Sequence, residues 1–253
     1  MNIFHAVSLS VIEGVTEFLP ISSTGHMILV STLFRIQNSE FVKSFEIIIQ
    51  LGAILAVFLL YWKKLLLDTK TFSRVGTALV PTAIVGLVLY KFIKQVLLAS
   101  PWVVVWSLGI GGILLIIVEL FHKETTDSVD LTPARAFLIG CAQSLSVIPG
   151  VSRAAATIVG AMLTGMKRKD AVEFSFLLAI PTMFAATGLD LVKSGKQFTA
   201  SQYMLLGIGF IGAFISAIIV VRWLLHFVIK NSFIPFGIYR IFIAIIYTLV
   251  VLR

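Results

Sequence analysis

Four runs of predominantly apolar residues, 45–62, 75–92, 102–120 and 203–229, approach or exceed the length of helix that crosses a hydrocarbon core, about 18 to 20 residues. A chain carrying several of them has little choice of fold. Inside a bilayer no water meets a free N–H or C=O, so the backbone closes its hydrogen bonds within helices or within a sealed barrel. Barrel strands are about half as long and alternate in polarity, which these runs do not. With 58% of residues hydrophobic, 13% charged and a mean hydropathy of +1.03, the chain also lacks the polar skin of a water-soluble domain.

The formal charge of +8 does not point to nucleic acid, because Lys and Arg sit singly or in small groups at the ends of the apolar runs. Anchoring of helix ends and contact with lipid headgroups account for that distribution. Cys141 is the single cysteine, which excludes an internal disulfide, and within an apolar helix it reads as a small core residue. In the first 34 residues Glu13, Glu17, Ser22, Ser23 and His26 interrupt the apolar stretch, so that segment does not read as a cleavable signal peptide.

Laid against itself, the chain shows a weak internal repeat. Pro20 is followed by Phe45 and Pro149 by Phe174, the same 25-residue interval, at an offset of 129 residues. Each half opens on a segment too interrupted to span: residues 6–30 break at Leu-Pro-Ile-Ser-Ser-Thr-Gly, and residues 134–163 at Ile-Pro-Gly-Val-Ser-Arg. Proline and glycine stop a helix there. The expected fold is therefore an all-α integral membrane protein, a single membrane domain over residues 1–253. Two re-entrant helix-loop-helix hairpins are each followed by three spans, 45–62, 76–92 and 102–121, then 171–191, 203–228 and 234–252. An odd number of crossings per half (1–122 and 130–253) turns the second half upside down, an inverted-topology repeat.

Along that path twelve Lys and Arg, Arg240 among them, collect on one side and seven on the other. The positive-inside rule assigns the richer side to the cytoplasm and opens the first hairpin to the outside. The remaining one of the 20, Arg153, is the only Lys or Arg that this path places deep in the membrane. Glu119 and Glu173 fall near the cytoplasmic boundary and read as solvated. His5, His122 and His226 fall near helix ends.

Glu13 and Glu17 are four apart, one helical turn on one face. A charge near the bilayer centre costs about 2.5–3.5 kcal/mol on insertion scales, and two neighbouring carboxylates repel besides. A divalent cation such as Mg²⁺ or Ca²⁺, a shared proton, or an arginine compensates such a pair. If the hairpin tips meet, Glu13, Glu17, Ser22, Ser23, His26, Ser152, Arg153 and Thr157 share one cavity, with two helix N-termini aimed at it. Carboxylates for a cation, hydroxyls and a histidine for transfer, and a guanidinium for oxyanions suit phosphoryl transfer. Hydroxyls in membrane helices also commonly bridge helices. Glu46 and Gln50 read equally as supporting partners of the site or as interhelical hydrogen bonds.

Glu-Gly-Val-Thr-Glu-Phe-Leu-Pro-Ile-Ser-Ser-Thr-Gly-His over residues 13–26, Phe-Glu-Ile-Ile-Ile-Gln-Leu-Gly over 45–52, Pro-Gly-Val-Ser-Arg over 149–153 and Ser-Phe-Ile-Pro-Phe-Gly-Ile-Tyr-Arg over 232–240 resemble the undecaprenyl-pyrophosphate phosphatase family of bacitracin-resistance type. The resemblance runs from about residue 10 to 245 in the same order. It implies removal of the terminal phosphate from the C55 isoprenoid pyrophosphate, in the bacterial inner membrane, to regenerate the carrier for cell-wall synthesis. By it, Glu13 and Glu17 match the family's acidic pair and cation site, and Ser23 and His26 its proposed nucleophile and histidine. Ser152, Arg153 and Thr157 match its second active-site segment. Ser22 and Thr24 join the substrate-binding set. Where the family shows Ser-Gly after the arginine, this chain has Ala154-Ala155.

A different membrane phosphatase family shares Ser-Gly-His and Ser-Arg fragments, but its second histidine would fall at Val159. The mechanism expected has Ser23 attacking the terminal phosphorus with His26 as general base, or His26 itself as nucleophile. A transporter of the polyprenyl phosphate carrier is the competing class, since inverted repeats and broken helices describe many transporters. The lipid substrate and surrounding lipids are the expected partners, with a homodimer left open.

Overall fold

A computed structural model of the chain describes residues 1–89, 92, 100–122, 130–194 and 198–251, and the side chains of these except 189–194 and 251. Lys91, Lys94, Lys123, Lys196 and Arg253 of the charge pattern lie outside the described residues, as does the side chain of Lys193. The described secondary structure is helical: α1 (Ile3–Thr16), α2 (Ser23–Leu33), α3 (Glu40–Leu66), α4 (Thr69–Val88), α5 (Pro101–Phe121), α6 (Pro133–Ser144), α7 (Arg153–Leu163), α8 (Arg168–Ser194), α9 (Ala200–Lys230) and α10 (Ile234–Val251). A 3₁₀ turn at Leu145–Val147 follows α6.

Five of these helices, α3, α4, α5, α8 and α9, are long and apolar enough to cross a membrane, as a multi-pass membrane protein requires. Their outward faces confirm the solvent they need. On α5 the exposed positions are Trp106, Ile110, Ile113 and Ile117, and on α9 they are Ile211, Ile215, Ile219 and Trp223. Both series step by three or four residues, one stripe of a helix, and would aggregate in water. Several helices outrun the expected spans because polar ends stay helical beyond the apolar run. Helix α4 starts seven residues earlier than its expected span, where the Asp68 carboxylate accepts from the backbone N–H of Lys70, an N-cap.

The order of short, short and long helices recurs in the two halves. Helices α2 and α7 have 11 residues each, and α3 and α8 have 27 each. Packing follows the same exchange: α1 lies on α9 as α6 lies on α4, and α2 meets α10 as α7 meets α5. Small residues make these crossings close. A Cβ on Gly14 would sit 2.6 Å from the Ala213 carbonyl oxygen of α9, and one on Gly112 would sit 2.7 Å from that of Gly237 in α10. Between hydrocarbon-facing helices such contact replaces the hydrophobic drive that water would supply. The core gathers around Phe18, Phe45, Ile49, Ile54 and Phe176, with Phe18 edge-on to Phe176 at 5.6 Å.

Three single-residue expectations change. Cys141 is exposed: it shares the outward stripe of α6 with Phe137, Leu138 and Leu145, while its neighbour Gly140 faces α4. Glu119 is not solvated but buried; its carboxylate accepts from Arg168 Nε at 2.6 Å and from the backbone N–H of Phe233 at 3.2 Å, fastening the ends of α5, α8 and α10. Arg240, counted with the cytoplasmic charges, is 0% exposed, so Arg153 is not alone in the interior. Glu173, also expected to be solvated, is 17% exposed and paired with Lys64 at 2.5 Å and Lys169 at 3.9 Å. His226 is exposed, and His122 caps α5.

Gly140→Leu places a side chain against the backbone of Ala78 in α4, and overpacking of this kind costs about 1–3 kcal/mol. Thermal unfolding in detergent is expected to shift down by several degrees. Gly109→Ala, with open space around it, leaves the transition unchanged.

Candidate active site

Two helices break at equivalent places, and the breaks build the site. After α1 the chain turns through 17–21 and restarts at Ser23; after α6 it turns through 145–152 and restarts at Arg153. Ser22 and Ser152 cap the new helices with nearly the same backbone, φ 72° and 73°. Non-glycine residues at positive φ cost about 1–3 kcal/mol and persist where the surroundings hold them. Part of the compensation is local. The Ser22 hydroxyl accepts from Gly25 N–H and the Ser152 hydroxyl from Ala155 N–H, at 3.4 and 3.1 Å. These bonds match at an offset of 130, one residue more than the proline register, because Gly150 is an extra residue in the second loop.

The restart points put Ser23 and Arg153 at the first turn of their helices, where N–H groups lack partners within the helix. Between them stands Glu17. Its Oε2 accepts from the Ser23 hydroxyl at 2.5 Å, and its Oε1 accepts from Arg153 Nη2 at 2.9 Å. All three side chains are largely buried, Glu17 at 7% exposure. A buried pair of this kind stabilises only while both members remain, since removing one strands the other charge at about 3–5 kcal/mol. Arg153 is placed further by the Ser175 carbonyl at 3.2 Å and by the ring of Phe18, 5.6 Å from its guanidinium carbon. Its Nε–H is buried with no partner.

Glu13 lies one turn before Glu17 and is fully buried, and neither carboxylate oxygen has a hydrogen-bond partner. Because Arg153 takes Glu17, the guanidinium compensates only one member of the acidic pair. Glu13 is left to a cation or a shared proton. Among the described residues no group of three or more His, Cys, Asp and Glu could hold a metal ion. The donor set still fits a hard cation completed by phosphate oxygens, since Mg²⁺ is commonly held by one or two carboxylates plus substrate.

His26 belongs to a different set of contacts from the one its sequence neighbours suggest. Its Nδ1 lies 2.7 Å from the Ser22 carbonyl oxygen and its Nε2 lies 2.8 Å from the Tyr239 hydroxyl. Both ring nitrogens are thus engaged away from Ser23, whose hydroxyl donates to Glu17. Thr157 is also set apart: it is fully buried, and its hydroxyl bonds Ser175 at 2.5 Å and the carbonyls of Arg153 and Ala154. That makes it a helix-joining group beneath the site. Thr24 is exposed, and Glu46 and Gln50 are half-buried on α3.

Tyr239 and Arg240 are the residues that sequence reasoning missed. Arg240 reaches from α10 to five backbone oxygens: Pro20 in the first loop, Gly150 and Val151 in the second, and Ser107 and Leu108 in α5, at 2.9 to 3.4 Å. Among the described contacts it has no carboxylate partner. The available signal was an arginine inside the apolar run 234–251, with no acidic residue in that run to pair it.

A chain with two capped helix breaks, a serine and an arginine joined through one glutamate, and α10 closing over both loops has a pattern that can be matched along its whole length. A family model described as bacitracin resistance protein BacA matches residues 6–246. An undecaprenyl-diphosphatase of Sulfurihydrogenibium sp. (strain YO3AOP1) is 52% identical over 253 residues, covering 98% of this chain and 99% of that protein. Proteins of the same name from Aquifex aeolicus (strain VF5) and Persephonella marina (strain DSM 14350 / EX-H1) are 51% and 45% identical, covering 98% and 100% of this chain and the same shares of their own length. Matches of this extent leave no part of the site outside the alignment, and the chain belongs to the bacitracin resistance protein BacA family.

Proposed function

We propose that this chain is a membrane phosphatase that hydrolyses undecaprenyl pyrophosphate to undecaprenyl phosphate and inorganic phosphate, recycling the lipid carrier of cell-wall synthesis and so giving bacitracin resistance. The observation that carries this reading is the run Ser23, Glu17, Arg153, a hydroxyl, a carboxylate and a guanidinium in direct hydrogen bonds at two helix N-termini. Relatives named for that activity, at 45–52% identity over nearly the whole chain, supply the substrate.

The Ser23 oxygen attacks the terminal phosphorus, Glu17 Oε2 takes the hydroxyl proton, and the bond to the bridging oxygen breaks so that undecaprenyl phosphate leaves. Water then attacks the phosphoserine, releasing inorganic phosphate, and the Ser23 oxygen regains its proton. This gives Glu17 the role that the sequence suggested for His26, for a reason of distance: the carboxylate touches the nucleophile and the imidazole does not. Arg153 would offer phosphate oxygens its unpartnered Nε–H, with Nη1 and Nη2 held by the Ser175 carbonyl and Glu17, and the N–H groups of both helix starts would add to the grip. Ser22 and Ser152 shape those starts. Glu13, with Glu17 beside it, would hold a divalent cation, Mg²⁺ or Ca²⁺, which when bound neutralises pyrophosphate charge.

The same reading extends to the membrane. Helices of 14 and 11 residues, α1 and α2, measure about 21 and 17 Å at 1.5 Å per residue, too short to cross a core of about 30 Å. They and the α6–α7 pair act as re-entrant hairpins, α10 serves as the sixth span, and the halves lie inverted in the bacterial inner membrane with the site open to the outside. The repeated helix order and the exchange of packing partners support this arrangement.

Purified protein in detergent is expected to release phosphate from undecaprenyl pyrophosphate. Excess chelator should abolish release, with recovery on adding back Mg²⁺ or Ca²⁺; full activity in chelator removes the cation. A protein that binds the lipid but releases no phosphate would favour the transporter class instead.

Arg153→Lys keeps a charge beside Glu17 but cannot reproduce the planar fork. Turnover is expected to fall 100-fold or more on the order of a lost charge-assisted contact in the transition state, with thermal stability near that of the parent. Near-normal turnover would reduce Arg153 to a counter-charge.

For the topology, Asn38→Cys in a Cys141→Ser background should react with an impermeant thiol reagent in intact cells, and Thr71→Cys should not. The reverse pattern inverts the assignment.

A further inference from the structure

The hydrogen bonds of His26 determine where its protons are. The Ser22 carbonyl, 2.7 Å from Nδ1, can only accept, so Nδ1 carries hydrogen. In the neutral ring Nε2 is then the lone-pair nitrogen, and the Tyr239 hydroxyl at 2.8 Å donates to it. The two rings lie within 8° of parallel with centroids 5.5 Å apart, an alignment that leaves the imidazole no free rotation about χ2 without losing both bonds. His26 is 6% exposed and Tyr239 is 38% exposed, so the tyrosine lies nearer the protein surface than the histidine it holds. The next residue, Arg240, is the one bonded to the carbonyls of both active-site loops. One turn of α10 thus holds the loops by their backbone and the histidine by its ring.

We infer that Tyr239 is a positioning residue for the phosphatase reaction, holding the His26 ring, whose Nδ1–H form the Ser22 carbonyl sets, in one orientation on the same turn of α2 as Ser23. This rests on the phosphatase reading given above. The hydrogen bond at one ring nitrogen decides what the other can do: the Ser22 carbonyl at Nδ1 leaves Nε2 the lone pair that the Tyr239 hydroxyl meets. Here the sequence separation is 213 residues, so the arrangement exists only once α10 has closed over α2. Helix α10 supplies no other imidazole or carboxylate to replace the hydroxyl.

Tyr239→Phe removes one oxygen and keeps the ring. With 15N-labelled histidine in detergent micelles, and His26 assigned by its loss in His26→Gln, the parent should show one protonated and one unprotonated ring nitrogen. In Tyr239→Phe the Nδ1–H form should persist against the Ser22 carbonyl, and the unprotonated Nε2 signal should shift as it loses its hydrogen-bond donor. Phosphate release should fall about tenfold in kcat, the scale of one lost hydrogen bond, with KM and thermal stability unchanged. In a His26→Gln background the same change should cost nothing further, as for a residue that acts through another. An unchanged His26 spectrum, an unchanged kcat, or a full additional loss in the His26→Gln background each overturns the inference. Absence of phosphate release from the parent protein overturns the phosphatase reading instead, and the spectrum still decides whether Tyr239 donates to Nε2 of His26.

Discussion

A broken helix frees carbonyl groups that a buried interior without water leaves unsatisfied, and this protein breaks two helices. Arg240 resolves much of that problem. Its guanidinium donates to Pro20, Gly150 and Val151 in the broken segments and to Ser107 and Leu108 in α5, so one buried cation satisfies both loops together. Orphaned buried backbone groups cost about 1–3 kcal/mol each, which makes the three bonds to Pro20, Gly150 and Val151 a condition of the fold, while the two to Ser107 and Leu108, inside α5, anchor the guanidinium. The backbone at Ser22 and Ser152, held at positive φ, is tolerable for the same reason: its neighbours are tied from outside the loop.

Placement of charge follows from that clamp. With Arg240 committed to carbonyls, Arg153 is the cation left for the acidic pair, and it takes Glu17. Glu17 thereby meets Arg153 through one oxygen and the Ser23 hydroxyl, which it orients, through the other, while Glu13 stays buried and unpartnered. In the reaction proposed above, an oriented nucleophile, a proton acceptor and positive charge near the oxyanions would each rest on a named contact and not on general polarity. The low-dielectric surroundings strengthen all of them. The departure at Ala154-Ala155 sits comfortably in this picture. The backbone N–H of Ala155 still meets Ser152, and both alanines are buried, so the capped turn is built without a hydroxyl or a glycine there.

Resemblance in sequence and position in space separate most clearly at the histidine and the threonine. Ser23 and His26, three residues apart, suggest a nucleophile and its base, yet each has a different partner. Spacing along a helix shows which side chains share a face, but not what arrives from another helix to meet them. Tyr239 and Glu17 arrive from opposite ends of the chain. Thr157, four residues after Arg153, shares its helix but points into the packing against Ser175.

The amino-acid sequence by itself determined the solvent, the helical class, the two breaks and the identity of the loops that carry chemistry, because each rests on local properties: apolar length, proline and glycine, and polar residues where none is tolerated without cause. It also placed Glu17, Ser23 and Arg153 in one site, since only a few groups can neutralise one another inside lipid. Tertiary structure alone decided the rest. Whether Glu119 meets water or Arg168, whether Cys141 faces lipid or core, and whether Arg240 anchors a helix end or clamps two loops depend on which helix lies opposite. A hydropathy profile registers how far a residue lies along its own helix and is blind to the neighbour across the interface.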